Sequence, residues 1–419
     1  MKIFLLSVGF TFFMFSSLLH AQSTDTLRLT MEQVFTRIDS VFPQLAVYAA
    51  KQDALQAQAG GAKSWMPPTL SAGLDRFPYR SSMLGETGPE NQAGIMISLE
   101  QMIPNPAKLK AKQAAIESQY KIQSSNAGWT KNRLHADAKS YYYRRCVFEK
   151  KLSVIAENKS VLKLLIASAQ ERYKYNQADL AGIYKAEARL AALNNMELMI
   201  RAEIAACTIG LNTLMNRDPL APLVLDTTIS LKNYVHSPSN DSVICERSDL
   251  LAMHYSIQAM KAAQNQMTQE RRPDFGAAIT HAQMFGMENQ YSIMGMLTIP
   301  IAPWSSGIYK SGVKAMSYEI DAMRKETETM QLMARQMATE KRVMLNYQQQ
   351  VYANCRDRVV PAFQSNYDVS LLAYRQNTGS FFVLLDAWDM LLMTRLQMLD
   401  AFNSALQLQT GYEYETEAK

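Results

Sequence analysis

The sequence lacks several features that mark common classes of protein. After residue 21 it contains no run of about 18 uncharged apolar residues, which excludes ordinary transmembrane helices from the mature chain. The signatures HExxH, P-loop and GxSxG are absent, and the histidines outside the N-terminal segment, His135, His236, His254 and His281, show no metal-ligand spacing. We therefore expect neither an enzyme nor a cofactor or resident metal.

Cysteine and net charge are also low. Cys146, Cys207, Cys245 and Cys355 form no CxxC pair, so we expect buried free thiols, although an oxidising compartment would allow a bridge. The chain has 43 basic and 38 acidic residues. Removing the first 21 residues takes away Lys2, leaves 42 basic residues and gives about +4, which gives no reason to expect a nucleic acid partner.

The N-terminus has the three regions of a secretory signal peptide. Lys2 is followed by the apolar run 3–19 and by small residues near Ala21. We expect cleavage after Ala21, so that the signal peptide covers 1–21 and the mature protein acts outside the cytoplasm.

Two similar interruptions in long helical patterns indicate an internal duplication. The run 374–391 breaks at Asn377, Thr378 and Gly379 and restarts behind Ser380, a predicted N-cap. Residues 172–186 do nearly the same about two hundred residues earlier. Each interruption is typical of the tip of a helical hairpin.

The first predicted repeat, 22–217, begins with a helix that Thr30 and Gln33 cap and that continues toward Ala62. The first arm of its hairpin is about 100 Å long at 1.5 Å per residue, which only a coiled coil stabilises. Alternating apolar residues and the break in the helical pattern predict two strands and a hairpin tip, at about 69–77, 93–103 and 173–182.

The second predicted repeat, 248–412, follows a linker over 218–247 and repeats this order. Ser248 is the predicted cap of its first helix. Its two strands and its hairpin tip are predicted at about 274–286, 291–301 and 374–386. The last residues, 413–419, are predicted to form an acidic tail.

The predicted strands have one apolar face and one small or polar face. Two strands in each repeat make a four-stranded sheet with two open edges, and a bilayer does not tolerate unpaired backbone groups. The sheet must therefore close with copies of itself, and membrane barrels begin at about eight strands. We predict an α+β membrane protein in which at least two or three chains share a barrel.

The tips also carry a family resemblance. In both, an aromatic and a basic residue precede a break and a hydrophobic run that ends in Leu-Asp-Ala or Lys-Ala, which resembles the outer-membrane efflux (TolC) family. The resemblance covers nearly the whole mature chain. It implies a homotrimer with four transmembrane strands per chain in one twelve-stranded barrel, continued by long antiparallel coiled-coil helices as a periplasmic tunnel. The residue directly after the predicted cleavage point is Gln22 and not a cysteine, so the lipid anchor of some members of the family is not expected.

The same resemblance implies a passive exit duct in the outer membrane of a Gram-negative-type cell. An inner-membrane efflux transporter and a periplasmic adaptor protein would deliver substrate to the tips. The run 101–110 and the pair Phe381 and Phe382 resemble the family's heavy-metal efflux subgroup, which leaves metal ions and organic molecules open as substrates. The adaptor-facing tip residues would be Asn176, Gln177, Asp179, Asn377, Thr378 and Gly379.

Two aspartates beyond the second tip are candidates for a constriction. Asp386 and Asp389 lie one helical turn apart and share a face, so a threefold assembly would carry rings of three carboxylates that select cations. Asp386 matches a constriction aspartate of the family, whereas the family's other acidic position falls on Val383. The second ring is therefore shifted to Asp389 or absent. The alternative is two solvated helix carboxylates.

Tyr374 matches a family tyrosine whose hydrogen bonds hold the tip closed. Its usual carboxylate partner corresponds to Gly182, and the family's nearby arginine corresponds to Gly379. We therefore expect other residues, such as Arg375 or Asp179, to close the tip.

Methionine recurs every seven residues in two helices, at 253, 260 and 267 and from 316 to 344. Thioethers bind Cu(I) and Ag(I), but seven residues span about 10.5 Å, too far for two sulfurs of one helix to share an ion. A coiled-coil seam filled by methionine is favoured. Two alternative functions remain, a Met-rich soft-metal-binding protein and a non-porous structural periplasmic coiled-coil protein, and neither explains the duplicated order.

Overall fold

The computed structural model describes residues 28–175, 179–234 and 246–418, and the structural statements below concern these ranges. The predicted signal peptide, most of the predicted linker's second half, and the tip residues Asn176 and Gln177 lie outside them. The described chain consists of long helices arranged around two hairpins, with a four-stranded sheet at the far end from the hairpin tips.

The helix predicted from Thr30 toward Ala62 is interrupted once. Thr30 and Gln33 form the predicted capping box, with the Gln33 N–H donating to Thr30 Oγ1 and the Thr30 N–H donating to Gln33 Oε1. Helix α1 spans Met31–Val41, and α2 spans Pro43–Gly61. The break lies at Phe42 because Pro43 has no backbone N–H and is suited to the first position of a new helix.

The long helices follow the predicted hairpins. With 68 residues, α3 is about 100 Å long. The sequence predicted an unbroken helix up to the second tip, but a π-helical turn, Cys355–Val359, separates α6 from α7. Pro361 removes a backbone donor there, and the wider turn accommodates it. The helices are α3 Pro106–Tyr173, α4 Leu180–Leu214, α5 Ser248–Gln269, α6 Ser306–Asn354, α7 Val360–Arg375 and α8 Phe381–Thr416.

Ser248 does not cap α5 as predicted. Arg247 occupies the N-cap position and makes no side-chain cap hydrogen bond, while Ser248 is the first residue of the helix. The Ser248 hydroxyl and N–H both donate to the carboxylate of Glu417, at 2.9 and 2.8 Å. Glu417, which is distant in sequence, therefore binds the Ser248 hydroxyl that was predicted to cap the helix.

Four strands form one antiparallel sheet in the order β2, β3, β5, β6. The strands are β2 Thr69–Asp75, β3 Gly94–Ile103, β5 Phe275–Met284 and β6 Gln290–Leu297, and a separate parallel pair joins β1 Arg28–Leu29 to β4 Val224–Leu225. The sequence predicted that β6 continues to residue 301, but the strand ends at Leu297. Pro300 follows closely, and proline cannot donate a hydrogen bond to a neighbouring strand.

The register places the predicted apolar positions within the strands on one face of the sheet, whereas Ile299 lies beyond the end of β6. Leu70 pairs with Leu99, Leu99 with Ile279, and Ile279 with Ile293, so one row crosses all four strands. These side chains are exposed, with Leu70 at 70% and Ile293 at 71%. The opposite face carries small and polar residues together with Met96, Met294 and Met296, and the Thr280 hydroxyl donates to Ser98 Oγ across it at 2.9 Å. A large apolar surface is therefore left open to the surroundings.

The predicted acidic tail is instead the end of a buried helix. Glu413 is 2% exposed and accepts hydrogen bonds from Lys139 Nζ at 2.7 Å, the Tyr234 hydroxyl at 2.6 Å and Gln409 Nε2 at 3.0 Å. Close by, Arg247 pairs with Asp249 and Glu415, and its guanidinium lies 4.8 Å from the centre of the Trp129 ring. These partners balance the buried charges, so α8 continues to Thr416.

The cysteines that the structure describes are free thiols. Cys146 and Cys207 are buried, and burial raises the pKa of the Cys146 thiol to about 12. Cys355 lies half-buried in the π-helical turn, and Cys245 is outside the described residues.

His135 is an example of a packed histidine. Its ring stacks on Phe35 with 4.2 Å between the centroids, and its Nε2 lies 2.9 Å from Asp39 Oδ1. Within the described ranges, no three His, Cys, Asp or Glu side chains converge in a way that would hold a metal ion. No helix of the described chain is both long and apolar enough to cross a membrane.

Candidate functional site

Both hairpin tips are built by a capped helix restart. Ser380 caps α8, with the Val383 N–H donating to its hydroxyl, and Asp179 caps α4 in the same way through the Ala181 N–H. At the second tip Asn377 adopts a positive φ of 58°, a conformation that asparagine tolerates better than most residues. The chain can therefore reverse within five residues and keep its cap intact.

Arg172 holds the two tips together. Its Nη1 donates to the Tyr374 carbonyl at 2.9 Å and to Asn377 Oδ1 at 2.5 Å. Its guanidinium also lies over the Tyr374 ring, 4.4 Å from the centroid. One side chain at the end of α3 thus binds the end of α7 and the turn beyond it.

A compact apolar core lies directly behind this contact. The Tyr374 and Phe381 rings are 5.6 Å apart, and a Cβ at Gly182 would come within 3.0 Å of Phe381. The absence of a side chain at Gly182 therefore allows the second tip to approach α4 closely. The buried residues of this core include Ile155, Leu162, Ile183, Leu193, Tyr374, Phe381, Leu384, Leu385, Trp388 and Leu392.

The two candidate aspartates differ in their surroundings. Both line a cavity of about 270 Å³ between α4 and α8, together with Lys185 and Arg189. Asp389 is ion-paired, because its Oδ1 accepts from Arg189 Nε at 2.6 Å and Nη2 at 2.5 Å. Asp386 is exposed and has no ion pair among the described residues. Of the two aspartates, Asp386 is therefore the one without an ion-pair partner in the described chain.

The basic and acidic pairs occupy equivalent places in the two repeats. Lys185 lies six residues after the cap Asp179, and Asp386 lies six residues after the cap Ser380. Arg189 and Asp389 each follow about one turn later, and these two are in contact. Alignment of the two tips on their caps would have found this complementary pattern in the sequence.

The predicted closing network differs from the observed one. The Tyr374 side chain is 4% exposed, and its hydroxyl has no hydrogen-bond partner in the part of the chain that the structure describes. Asp179 serves as a helix cap, and Arg375 is exposed. Sequence reasoning missed Arg172, because only the folded chain brings the end of α3 against residues about two hundred positions later.

The remaining predicted tip residues lie at the surface. Asn377 and Thr378 are exposed, Gly379 is half-buried, and the Thr378 and Gly379 N–H groups both donate to the Ala373 carbonyl. A Cβ at Gly379 would come within 3.0 Å of the Ala373 side chain, so this turn leaves little room for substitution.

No protein-family model matches the chain, and no curated protein matches its sequence. Its structure, however, is similar to solved structures. The outer-membrane channel OprN is 14% identical with a TM-score of 0.76, and the comparison covers 93% of this chain and 90% of OprN. The outer membrane protein VceC of Vibrio cholerae is 13% identical with a TM-score of 0.73, over 92% of this chain and 95% of VceC.

A third similar structure is the open state of the MtrE outer membrane channel of Neisseria gonorrhoeae. It is 14% identical with a TM-score of 0.70, over 92% of this chain and 88% of MtrE. The chain has the fold of the outer-membrane efflux channels. The predicted resemblance to the TolC family is thereby confirmed at the level of the fold, which extends over nearly the whole length of each partner in the comparison.

Proposed function

We propose that the protein is the outer-membrane channel of a tripartite efflux system, a passive exit duct for substrates that an inner-membrane transporter delivers through a periplasmic adaptor. The observation that carries the proposal is one sheet with an exposed apolar face, attached to two helical hairpins, in the fold of outer-membrane channels. The first hairpin has one arm about 100 Å long and one about 50 Å long. The alternative of a non-porous coiled-coil rod leaves that apolar face without a purpose.

The sheet supports a shared barrel. Its edge strands, β2 and β6, are unpaired on their outer sides within the described chain. An even number of antiparallel strands leaves β2 and β6 running in opposite directions, so β2 of one chain extends β6 of the next with the same antiparallel pairing. Three copies give twelve strands, within the range of outer-membrane barrels, with the apolar face toward lipid.

The domain organisation proposed with this assembly is a cleaved signal peptide, 1–21, and two repeats, 22–217 and 248–412, joined by the linker 218–247. The observed order of helix, strand pair and hairpin in each half supports the duplication. The repeats give each chain two coiled hairpins, and three chains give six, which would enclose the periplasmic tunnel.

The tips form the proposed gate. Asp386 would contribute a ring of three carboxylates, while Asp389 is neutralised by Arg189 and contributes less to such a ring. The surface residues Asn377, Thr378 and Gly379 would face the adaptor. A partner opens this gate only by binding the open arrangement more tightly than the closed one.

The proposal is tested by reconstituting the purified full-length protein into planar bilayers. A duct gives discrete conductance steps, whereas a structural rod gives none. Absence of steps in the wild-type protein, together with absence in a variant whose tip contacts are removed, would overturn the proposal, because a closed gate alone cannot explain both results.

Substrate class is tested in a strain that lacks the protein, exposed in parallel to Cu, Ag, Zn, Co and Cd salts and to bile salts, dyes and antibiotics. Sensitivity limited to metals assigns the duct to a metal pump. Sensitivity limited to organic compounds assigns it to a multidrug pump.

The role of Asp386 has its own test. We expect Asp386→Asn to lower the cation-to-anion permeability ratio and to weaken block by trivalent cations in single-channel recordings, because a ring of negative charge is lost. Unchanged recordings would leave Asp386 as a solvated helix carboxylate.

A further inference from the structure

The methionine column of α6 does not fill the buried seam of its coiled coil. The buried positions of α6 include Ile320, Ala334, Ala338 and Leu345. The methionines at 316, 323 and 330 are half-buried, and those at 337 and 344 are exposed. Methionine therefore lines the edge of the seam, where the side chains are only partly shielded from solvent.

The second methionine column lies on α5, which packs along the first part of α6. Contacts at both ends establish the pairing of the two helices. Leu250 packs with Ala334 and Met330 near the start of α5, and Gln264 Nε2 donates to the Val313 carbonyl at 3.0 Å near its end. The two helices therefore run antiparallel. Residues with higher numbers in α5 lie beside residues with lower numbers in α6.

This register brings the two columns together. Met267 lies against Gly312, with its Sδ 3.5 Å from the position that a Cβ there would occupy, and Met316 follows one turn later on the same face. Each step of seven residues back along α5 is matched by a step of seven forward along α6. Extended along both helices, this register gives the successive pairs Met267 with Met316, Met260 with Met323, and Met253 with Met330.

Pairing across helices removes the objection that one helix spaces its sulfurs too far apart. Consecutive methionines on one helix are about 10.5 Å apart, but each pair draws one thioether from each of two packed helices. All six side chains are half-buried, so each pair is partly shielded and still accessible to an ion. Thioether ligands are soft and select Cu(I) or Ag(I) over harder cations.

We propose that the α5–α6 interface carries three thioether pairs that bind soft monovalent cations, Cu(I) or Ag(I), one ion to each pair. The sites lie along α5 and the first part of α6, with Met267 nearest the sheet and all three pairs away from the hairpin tips. The proposal does not depend on the channel function, because binding requires only the folded pair of helices.

The test measures Ag(I) bound to the purified full-length protein in chloride-free buffer, by elemental analysis after gel filtration. The variant Met253→Leu, Met260→Leu, Met267→Leu keeps side chains of similar volume and so preserves packing. We expect it to bind three fewer Ag(I) ions per chain than the wild type, and X-ray absorption at the Ag edge to show fewer sulfur neighbours.

The chain offers a matched control in the same column of α6. Met337 and Met344 continue the heptad past Met330, and they are exposed. The described part of α5 offers them no partner, because it begins at Ser248 and its first methionine, Met253, is already paired with Met330. The variant Met337→Leu, Met344→Leu is expected to bind as much Ag(I) as the wild type. The four cysteines are present in every variant, so their uptake cancels in the comparison.

Two results would overturn the proposal. Equal Ag(I) binding by the α5 variant and the wild type means that the methionines serve packing alone. An equal loss per methionine in the α5 variant and in the control means that any accessible thioether binds Ag(I), and the pairs have no special role. Circular dichroism and elution volume show whether the triple α5 variant folds. If it does not fold, the single variant Met260→Leu takes its place, and we expect that variant to lose one ion.

Discussion

At the scale of single residues, the tips combine one strong clamp with one weaker ion pair. Arg172 makes two hydrogen bonds and a cation–π contact to the second tip, so several interactions must break together. The Arg189 and Asp389 side chains are 29% and 37% exposed, which places their ion pair among those that contribute only about 0.2–1 kcal/mol. The second contact is the one that an opening motion can break easily.

Removal of the Arg189 side chain is expected to favour the open gate. Arg189→Ala should raise the ratio of open to closed time by up to about fivefold, since about 1 kcal/mol corresponds to that factor. Single-channel recording measures this ratio. Arg201→Ala is the matched control, because Arg201 lies on the same helix and pairs with Glu197 one turn away.

Exchange of the charges of Arg189 and Asp389 distinguishes the contribution of their ion pair from the other effects of Arg189→Ala. The double variant with Arg189→Asp and Asp389→Arg should return the open-to-closed ratio toward that of the wild type. If the double variant opens as often as Arg189→Ala, the attraction between these two side chains does not hold the gate.

Glu413 gives the protein an acid-sensitive contact. Burial alone would raise the pKa of this carboxyl, but the hydrogen bonds from Lys139 and Tyr234 outweigh burial and hold its pKa below the usual value. A lowered folded-state pKa stabilises the fold above the unfolded-state pKa, about 4.3, and this stabilisation is lost as pH falls through and below that value.

We expect Glu413→Gln to lower the free energy of unfolding at pH 7 by about 2–3 kcal/mol and to flatten the loss of stability below pH 5, since the partly buried Lys139 loses its charged partner. Thermal unfolding at pH 7 and pH 4 checks both effects at one protein concentration. Glu319→Gln, at an exposed position without an ion pair among the described residues, should match the wild type at both pH values.

At the scale of elements, the sheet follows directly from sequence alternation. Ile97 and Ser98 are neighbours in the middle of β3, and the two-residue period of a strand points them to opposite faces. Ile97 belongs to the exposed apolar face, whereas Ser98 accepts a hydrogen bond from Thr280 on the other.

Arginine at these two positions should therefore have opposite consequences. Ile97→Arg is expected to cost about 2–4 kcal/mol in a bilayer and to reduce the amount of protein that inserts into outer-membrane vesicles. Ser98→Arg should insert normally and change the conductance. Equal insertion of both variants would mean that the apolar face does not meet lipid.

The helices show where local pattern is insufficient. Periodicity predicted long arms, and α3 has the expected length, but the break at Phe42 and the π-helical turn at Cys355–Val359 were missed. Both lie next to a proline, at Pro43 and Pro361. A missing backbone donor can end a helix, begin a new one or widen a turn, and packing against neighbouring helices decides among these outcomes.

At the scale of the whole molecule, the proposed trimer rests on contact between β2 and β6 of neighbouring chains. Cysteines introduced singly along Thr69–Asp75 and Gln290–Leu297, combined in pairs and oxidised, should cross-link between chains at one antiparallel register. We expect denaturing gels to show dimers and trimers and nothing larger. A ladder that continues past three chains would contradict a closed threefold barrel.

The sequence by itself determined the order of elements and the apolar face of the sheet, and it predicted the duplication, because these depend on local period, caps and breaks. It also pointed to Asp386, which the structure leaves exposed and unpaired among the described residues. It could not determine that Asp389 is neutralised, that Arg172 joins the tips, or that the last turns of α8 are buried.

Only the tertiary structure decided those points. Each depends on two segments far apart in sequence, as in the contacts between Arg189 and Asp389, Arg172 and Asn377, or Lys139 and Glu413. Residues 413–418 look like a solvated tail as long as charge alone is considered. Packing brings Lys139, Tyr234 and Arg247 to them, and a charge whose partners are already in place can be buried where an unpaired one would remain in water.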